Sequence, residues 1–308
     1  MPHQPPIIPL IPIFLITLVS LAAVFCHLFL IPLLRASRKM TPEIRSYFLL
    51  LVAAAPWLIG SGVLLSSVAD VLFGACDVGN SCLWNQDPTL ADPRRLLVVI
   101  PLLAALAVLG FRLARRIYVS RQIVRTLDTT SERQKDPCLR LVPTEKALAF
   151  SGSGRIFIST GLKERLSLEQ YQAVLLHERA HLHRQDGLLS IIATLLSACY
   201  LPPFRQRLLD ALALANEEAC DQRAAIVVGR RITASAILAV EKIRWIQSPE
   251  TFPGFGDGFV AERVRRLMAD EPSMGFLAQA VIPVSIVGAF LLGDVLYYLG
   301  LLVLYPLS

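Results

Sequence analysis

Four long apolar runs, separated by polar segments, are the first pattern along the chain. They cover residues 7–34, 47–73, 96–113 and 276–305. A helix that crosses a bilayer needs about 20 predominantly apolar residues, so each run predicts a transmembrane helix, the third being somewhat short. The first run lacks a preceding basic segment and is too long for a cleaved signal peptide. We therefore expect a mostly α-helical integral membrane protein with about four transmembrane helices.

The segment between the third and fourth runs has the mixed pattern of a folded domain. Strand-like or helical patterns occur at residues 139–142, 147–150, 155–159, 168–185, 204–215 and 232–246. The letters SGSG at 151–154 are a hairpin turn signal, and Ser167 with Gln170 forms a capping-box signal for a helix start. A glycine-rich stretch at 252–258 predicts a loop. We expect an α+β domain with a small sheet.

The apolar residues 188–201 end at two prolines and are too few for a full span. They predict a helix that lies on the membrane surface or inserts partly. The chain then divides into an N-terminal transmembrane region (1–116), a cytoplasmic domain (117–275) and a C-terminal transmembrane helix (276–308).

Composition and charge agree with this layout and orient it. The chain has 308 residues, is 54% hydrophobic and 18% charged, and has a mean hydropathy of +0.55, which is too apolar for an ordinary soluble enzyme. Basic residues follow the first and third runs at Arg35, Arg38, Lys39, Arg45, Arg112, Arg115, Arg116, Arg121 and Arg125. By the positive-inside rule these segments are cytoplasmic, so both termini lie outside. The net charge of +6 reflects this bias, and we expect no nucleic-acid partner.

Three residues outside the cytoplasmic domain carry open hypotheses. Cys76 and Cys82 share the predicted external loop, where oxidation is possible; a disulfide and two reduced loop residues are both open. Asp294 lies in the last apolar run. An acid at membrane depth suggests a functional role, and the alternative is a position near the outer interface.

The motif H-E-x-x-H at His177, Glu178 and His181 indicates a metal-binding catalytic site. Histidines four residues apart share one helix face, so both imidazoles can bind one metal ion. The glutamate beside the first histidine can take a proton from a water molecule at that metal. With zinc as the metal, this arrangement hydrolyses amides. The alternative is a chance occurrence of the motif on an amphipathic helix.

A second motif, EEACD at 217–221, argues against chance. Glu217 and Asp221 are four residues apart, so on a helix they share a face. Glu217 is the predicted third metal ligand, and Asp221 is predicted to orient a ligand histidine. Glu218 is the rival third ligand, although it has no acid at the matching offset.

Two further features bear on a substrate. Arg263 lies in a basic segment before the last apolar run; it could stabilise an oxyanion or bind substrate, or could only mark the cytoplasmic end of the span. The predicted sheet precedes the metal-binding helix, and an extended peptide can add to an exposed sheet edge. Alternatively, the strands only cover that helix.

The chain resembles the BlaR/MecR-type membrane metallopeptidases in six segments: RIFISTGL at 155–162, LEQYQAVLLHERAH at 168–181, RQD at 184–186, EEACD at 217–221, VGRR at 228–231 and ERVRR at 262–266. The resemblance implies a zincin fold of the gluzincin-like type on a helical platform in the bacterial inner membrane. It implies Zn²⁺ bound by His177, His181 and Glu217, with Glu178 as general base.

The same resemblance implies regulatory proteolysis triggered by a signal, with a protein or peptide as substrate. A cytoplasmic repressor and the enzyme itself are the candidate substrates. The chain ends at Ser308, and we expect it to lack the external penicillin-binding sensor domain of that family. The signal would then come through the external loop, the membrane spans or a sensor partner, with the lipid bilayer as a further partner of the protein.

Two other functions stay open. A membrane quality-control protease of the HtpX/CAAX-protease type shares both motifs, but has hairpins between them that span the membrane, where this chain has only residues 188–201. A non-catalytic membrane adaptor that kept zinc for structure would not need Glu178.

Overall fold

The computed structural model describes residues 11–72, 93–247 and 255–269, together with the helical positions 284–285, 287–289, 291–293 and 295. Three residues with predicted roles, Cys76, Cys82 and Asp294, lie outside this part of the chain.

The described parts of the first three apolar runs lie in long helices. These are α1 (Ile11–Ser37), α2 (Pro42–Leu72) and α3 (Pro93–Thr130), the last of which continues into the basic segment as predicted. Among the described residues, Pro42–Val63 of α2 is the one segment long and apolar enough to cross a membrane. The apolar helical segment Asp186–Cys199 is shorter than a span. The layout with four spans therefore stays a prediction.

Glycines let other helices approach α2 closely. A Cβ atom on Gly60 would lie 2.8 Å from a methyl carbon of Val19 in α1, and a Cβ atom on Gly293 would overlap the carbonyl oxygen of Ile59. Helices in membranes commonly pack through such small residues. The first helix and the segment around Gly293 are therefore both packed against α2.

The sheet has four strands in the order β1–β2–β4–β3. They are β1 (Glu132–Arg133), β2 (Leu139–Val142), β3 (Ala149–Gly152) and β4 (Arg155–Ser159). The central pair β2 and β4 is parallel, and the two outer pairs are antiparallel. The predictions for β2 and β4 are confirmed, whereas β3 begins two residues later than expected.

The hairpin between β3 and β4 explains the shift. Ser153 and Gly154 both have positive φ, 49° and 78°, as two-residue hairpin turns of this hand require. Only these two residues form the turn, so the preceding Ser151 and Gly152 belong to β3. Within the described part of the chain, β3 is the outermost strand at its side of the sheet.

Between residues 160 and 268, the described part of the chain forms six α-helices after the sheet. They are α4 (Thr160–Arg165), α5 (Leu168–Arg184), α6 (Asp186–Leu196), α7 (Pro202–Val228), α8 (Arg230–Gln247) and α9 (Phe255–Met268). The predicted capping box at the start of α5 is confirmed, because the Ser167 hydroxyl accepts from the Gln170 N–H and the Gln170 side chain accepts from the Ser167 N–H.

The predicted helix at 204–215 is confirmed as part of α7, which also carries the acidic motif after it. Pro202 stands in the first turn of α7, where its missing N–H removes no helical hydrogen bond. The predicted loop at 252–258 is wrong from Phe255 onward, where α9 begins; its glycines lie in the first turns of that helix.

Two apolar clusters meet along α7 and α5. One joins the sheet to α5 and α8 through residues such as Ile156, Val174 and Ala236. The other joins α1 and α2 to α6 and α7 through residues such as Leu49 and Leu208. Burial of apolar surface in the two clusters fixes α5 and α7 next to each other. The side chains that project from one helix toward the other therefore have fixed relative positions.

We predict that Gly161→Ala destabilises the domain by about 1–3 kcal/mol, the usual cost of forcing extra volume into a packed site. The new methyl group would overlap the backbone of Glu145, whose carbonyl cannot move aside easily. Gly187→Ala is the matched control, since its Cβ would meet nothing within 4 Å. Thermal unfolding of both variants tests this, and equal melting temperatures would contradict it.

Candidate metal centre

The two motif histidines project from one face of α5 toward α7. Their Nε2 atoms are 3.0 Å apart. Glu217 of α7 completes the group, with one carboxylate oxygen 3.4 Å from the Nε2 of His177 and the other 3.4 Å from the Nε2 of His181. The structure therefore brings together the three residues that the two motifs predicted as metal ligands.

Each histidine is held from behind by a carboxylate. His177 Nδ1 is 2.8 Å from Asp221 Oδ1, and His181 Nδ1 is 2.7 Å from Asp186 Oδ2. A hydrogen bond of this kind fixes the tautomer and orients the ring of a metal ligand. The sequence argument anticipated Asp221 but gave Asp186 no role. The signal for Asp186 was weak, because it lies five residues after His181, beyond the end of α5, where no helix periodicity applies.

The arrangement of lone pairs requires a cation. When each Nδ1–H donates to its carboxylate, both Nε2 lone pairs point toward the Glu217 carboxylate. Three electron-rich groups this close repel one another unless a proton or a metal ion lies between them. Two imidazole nitrogens and one carboxylate oxygen form a donor set that catalytic zinc sites use. The residues present therefore fit a divalent metal ion.

Protons take the place of that cation when the site holds no metal. Burial lowers the pKa of His177, but hydrogen bonds and charge from Asp221 and Glu217 outweigh it and raise the pKa to about 9. Burial also lowers the pKa of His181, and its bond to Asp186 with the nearby Glu217 reverses the effect, so the net direction is upward. Burial raises the pKa of Glu217, but both histidines bring it well below its usual value.

Arg263 of α9 contacts the two acids of α7. It donates from Nε and Nη2 to the two oxygens of Asp221, at 2.7 and 2.8 Å, and its Nη1 is 3.1 Å from Glu217. A bidentate pair of this kind is strong and directional. Arg263 thus stabilises Asp221, which orients His177, and Glu217, which could bind a metal. It also lines the cavity, so its predicted contact with substrate stays a prediction.

Glu218 points away from the histidines, toward α2. Its Oε2 accepts from Nη1 of Arg45 at 2.8 Å, and both side chains are buried. Consecutive helix residues are rotated by about 100°, so Glu217 and Glu218 cannot both face α5. The helix phase assigns Glu217 to the histidines and Glu218 to α2.

A cavity of about 330 Å³ lies above the two histidines and Glu217. Glu178 lines it next to the metal-binding face, with its side chain largely buried. Residues of β3, among them Ala149 and Ser151, and apolar residues of α8, among them Ile237 and Val240, line the cavity. The cavity can therefore receive an extended chain between a sheet edge and an apolar helix face.

A second group of metal-binding side chains overlaps the first. Asp186 and Cys220 could bind a metal together with His181, but that histidine would use Nδ1, which already contacts Asp186. Burial raises the pKa of the Cys220 thiol to about 11, so the sulfur is protonated when no metal is bound. Within the described residues, this group therefore supports His181 rather than forming a separate site.

We predict that Glu217→Gln lowers the affinity for zinc by more than about 100-fold, above the range for losing a partner behind a ligand. Glu218→Gln is the comparison: it should lower zinc affinity by less than about 10-fold, below the range for a partner that touches a ligand, because Glu218 contacts Arg45 and not the histidines. Competition with a chromophoric chelator measures both affinities. If Glu218→Gln lost zinc and Glu217→Gln kept it, the assignment of ligands would be wrong.

Comparison with known proteins agrees with this chemistry. Residues 113–244, which include both motifs, match the family model for Peptidase family M48. No curated protein and no solved structure matches the chain significantly. The match does not confirm the BlaR/MecR type. It supports assignment of this segment to the M48 metallopeptidases.

Proposed function

We propose that the protein is a zinc-dependent endopeptidase that acts at a membrane on a cytoplasmic or membrane-proximal protein. The observation that carries the proposal is the convergence of two motifs from different helices on one point. His177, His181 and Glu217 surround that point, and Glu178 lines the same cavity. A structural zinc site would need no glutamate base and would have no open space beside its ligands.

Each residue has a defined task in the hydrolysis of a peptide bond. When bound, zinc lowers the pKa of a coordinated water molecule to about 7 and polarises the peptide carbonyl. Glu178 accepts a proton from the attacking water and returns it to the amide nitrogen as the C–N bond breaks. Asp221 and Asp186 keep the histidines oriented throughout, and Arg263 keeps Asp221 in place.

The outer edge of β3 is the proposed binding surface for the substrate backbone. The Ser159 N–H donates to the Leu148 carbonyl, and in an antiparallel pair the hydrogen-bonded positions alternate. Ala149 and Ser151 therefore direct their backbone N–H and C=O groups away from β4. Both residues line the cavity. A substrate in extended conformation can add there as a further strand.

A role in signal-triggered regulatory proteolysis is part of the proposal. It is supported by the resemblance to BlaR/MecR-type enzymes and by the direct packing of α2, the candidate membrane helix, on α7. The alternative is a quality-control protease of the HtpX/CAAX-protease type. The helix α6 between the motifs is too short for a spanning hairpin and packs on α2 and α7, which favours the first type.

We predict that Glu178→Gln keeps wild-type zinc content and lowers the rate of cleavage by about 100- to 10,000-fold, the usual contribution of a general base. Glu169→Gln in the first turn of the same helix is the control, because this exposed residue lies outside the cavity. Native membranes that contain each variant are compared for protein fragments by mass spectrometry. The proposal fails if Glu178→Gln generates the same fragments at the wild-type rate.

We predict that Ser151→Pro lowers kcat/KM by up to about 10-fold, because one backbone donor for the substrate is lost and a hydrogen bond contributes about 0.5–1.5 kcal/mol. Proline is tolerated where an edge-strand N–H points outward, so the variant should fold. Ser151→Ala keeps the N–H and should retain wild-type kinetics. Unchanged kcat/KM for Ser151→Pro with a peptide substrate would argue against strand addition at β3.

A further inference from the structure

A buried chain of polar side chains connects the start of α2 to a metal-binding histidine. Arg184, the last residue of α5, lies at its centre, and its side chain is 1% exposed. Its Nε donates to Asp186 at 3.2 Å, and Asp186 in turn contacts His181. Its Nη2 donates to the Ser46 hydroxyl of α2 at 2.9 Å. Only two side chains therefore separate Ser46 from a metal ligand.

Most of the remaining surroundings of Arg184 also come from α2. Its Nη1 lies 3.8 Å from the carboxylate of Glu43, and its guanidinium lies 5.9 Å from the ring centre of Tyr47. Asn216 of α7 is the exception, with its Oδ1 accepting from Arg184 at 3.0 Å and also from Ser46. The position of the guanidinium thus depends on where the first turns of α2 lie.

Burial makes the position of the Arg184 guanidinium depend strongly on α2. Ser46 is 1% exposed and Asn216 is 7% exposed, so water cannot replace a lost partner in this network. An unpaired polar group in such a place costs free energy, and the arginine must follow its partners or lose them. Two further ion pairs tie the same turns of α2 to α7, Arg45 with Glu218 at 2.8 Å and Glu43 with Arg223 at 2.6 Å.

We propose that Ser46 is a positioning residue of the metal centre, which acts through Arg184 and Asp186 on His181. This inference rests on the proposed metal site. The candidate membrane helix then forms part of the outer support of the zinc ligands, and a shift of α2 against α7 changes how firmly His181 is oriented. The peptidase is fully competent only when α2 is docked in the observed register.

The experiment is a double-mutant cycle on zinc affinity, measured with the full chain in detergent by chelator competition. Asp186→Asn should weaken zinc binding by about 10- to 100-fold, and Ser46→Ala by about 3- to 10-fold, below the range for a partner that touches the histidine itself. In the Asp186→Asn background, Ser46→Ala should change affinity by less than about twofold, because residues that act through one another are not additive.

Ser37→Ala is the matched control. Ser37 is also fully buried, but its hydroxyl donates to the Leu34 carbonyl of its own helix α1. It should leave zinc affinity unchanged in both backgrounds. The visible spectrum of the Co²⁺-substituted protein gives a second readout: Ser46→Ala should shift the absorption bands and Ser37→Ala should not. A loss of stability alone would lower the melting temperature without moving these bands.

Three results would count against the proposal in distinguishable ways. Wild-type affinity and an unchanged cobalt spectrum in folded Ser46→Ala would overturn this inference and leave the proposed function intact. Fully additive effects of Ser46→Ala and Asp186→Asn would also overturn it, because Ser46 would then act by another route. A wild-type chain that binds no zinc would instead overturn the proposed function from which the inference starts.

Discussion

The packing of α5 against α7 is the constraint on which the site depends. Neither helix alone carries all three predicted ligands: α5 carries the two histidines, and α7 carries Glu217 and the acid that orients His177. Apolar burial on both sides of the pair holds the helices together. This packing brings the Nε2 atom of His181 to within 3.4 Å of the Glu217 carboxylate. A cation between the helices relieves the repulsion between these electron-rich groups.

Three arginines, two of them on further helices, compensate the charge of these buried acids. Arg263 from α9 pairs with Asp221, Arg184 at the end of α5 pairs with Asp186, and Arg45 from α2 pairs with Glu218. Breaking a buried pair by removing one partner usually costs several kcal/mol. These arginines therefore tie α2 and α9 to the site, so that elements distant in sequence share one electrostatic arrangement.

The local parts of this account were predictable from sequence, whereas the tertiary parts were not. The capping box at Ser167 and the helix spacing of His177 and His181 depend only on residues within a few turns, and so does the phase that separates Glu217 from Glu218. The roles of Asp186 and Arg184 were not predicted, because they arise at and just beyond the end of α5 and involve Ser46, which lies 138 positions from Arg184 in the chain. No periodicity relates such residues.

The identity and coordination of the bound metal test the central claim most directly. X-ray absorption at the zinc edge of the purified full chain should show one zinc per chain with two imidazole nitrogens and carboxylate oxygen at about 2.0–2.2 Å, and no sulfur. Sulfur scattering at about 2.3 Å would mean that a cysteine binds the metal, and the account of the site would be wrong. Absence of stoichiometric zinc would contradict it as well.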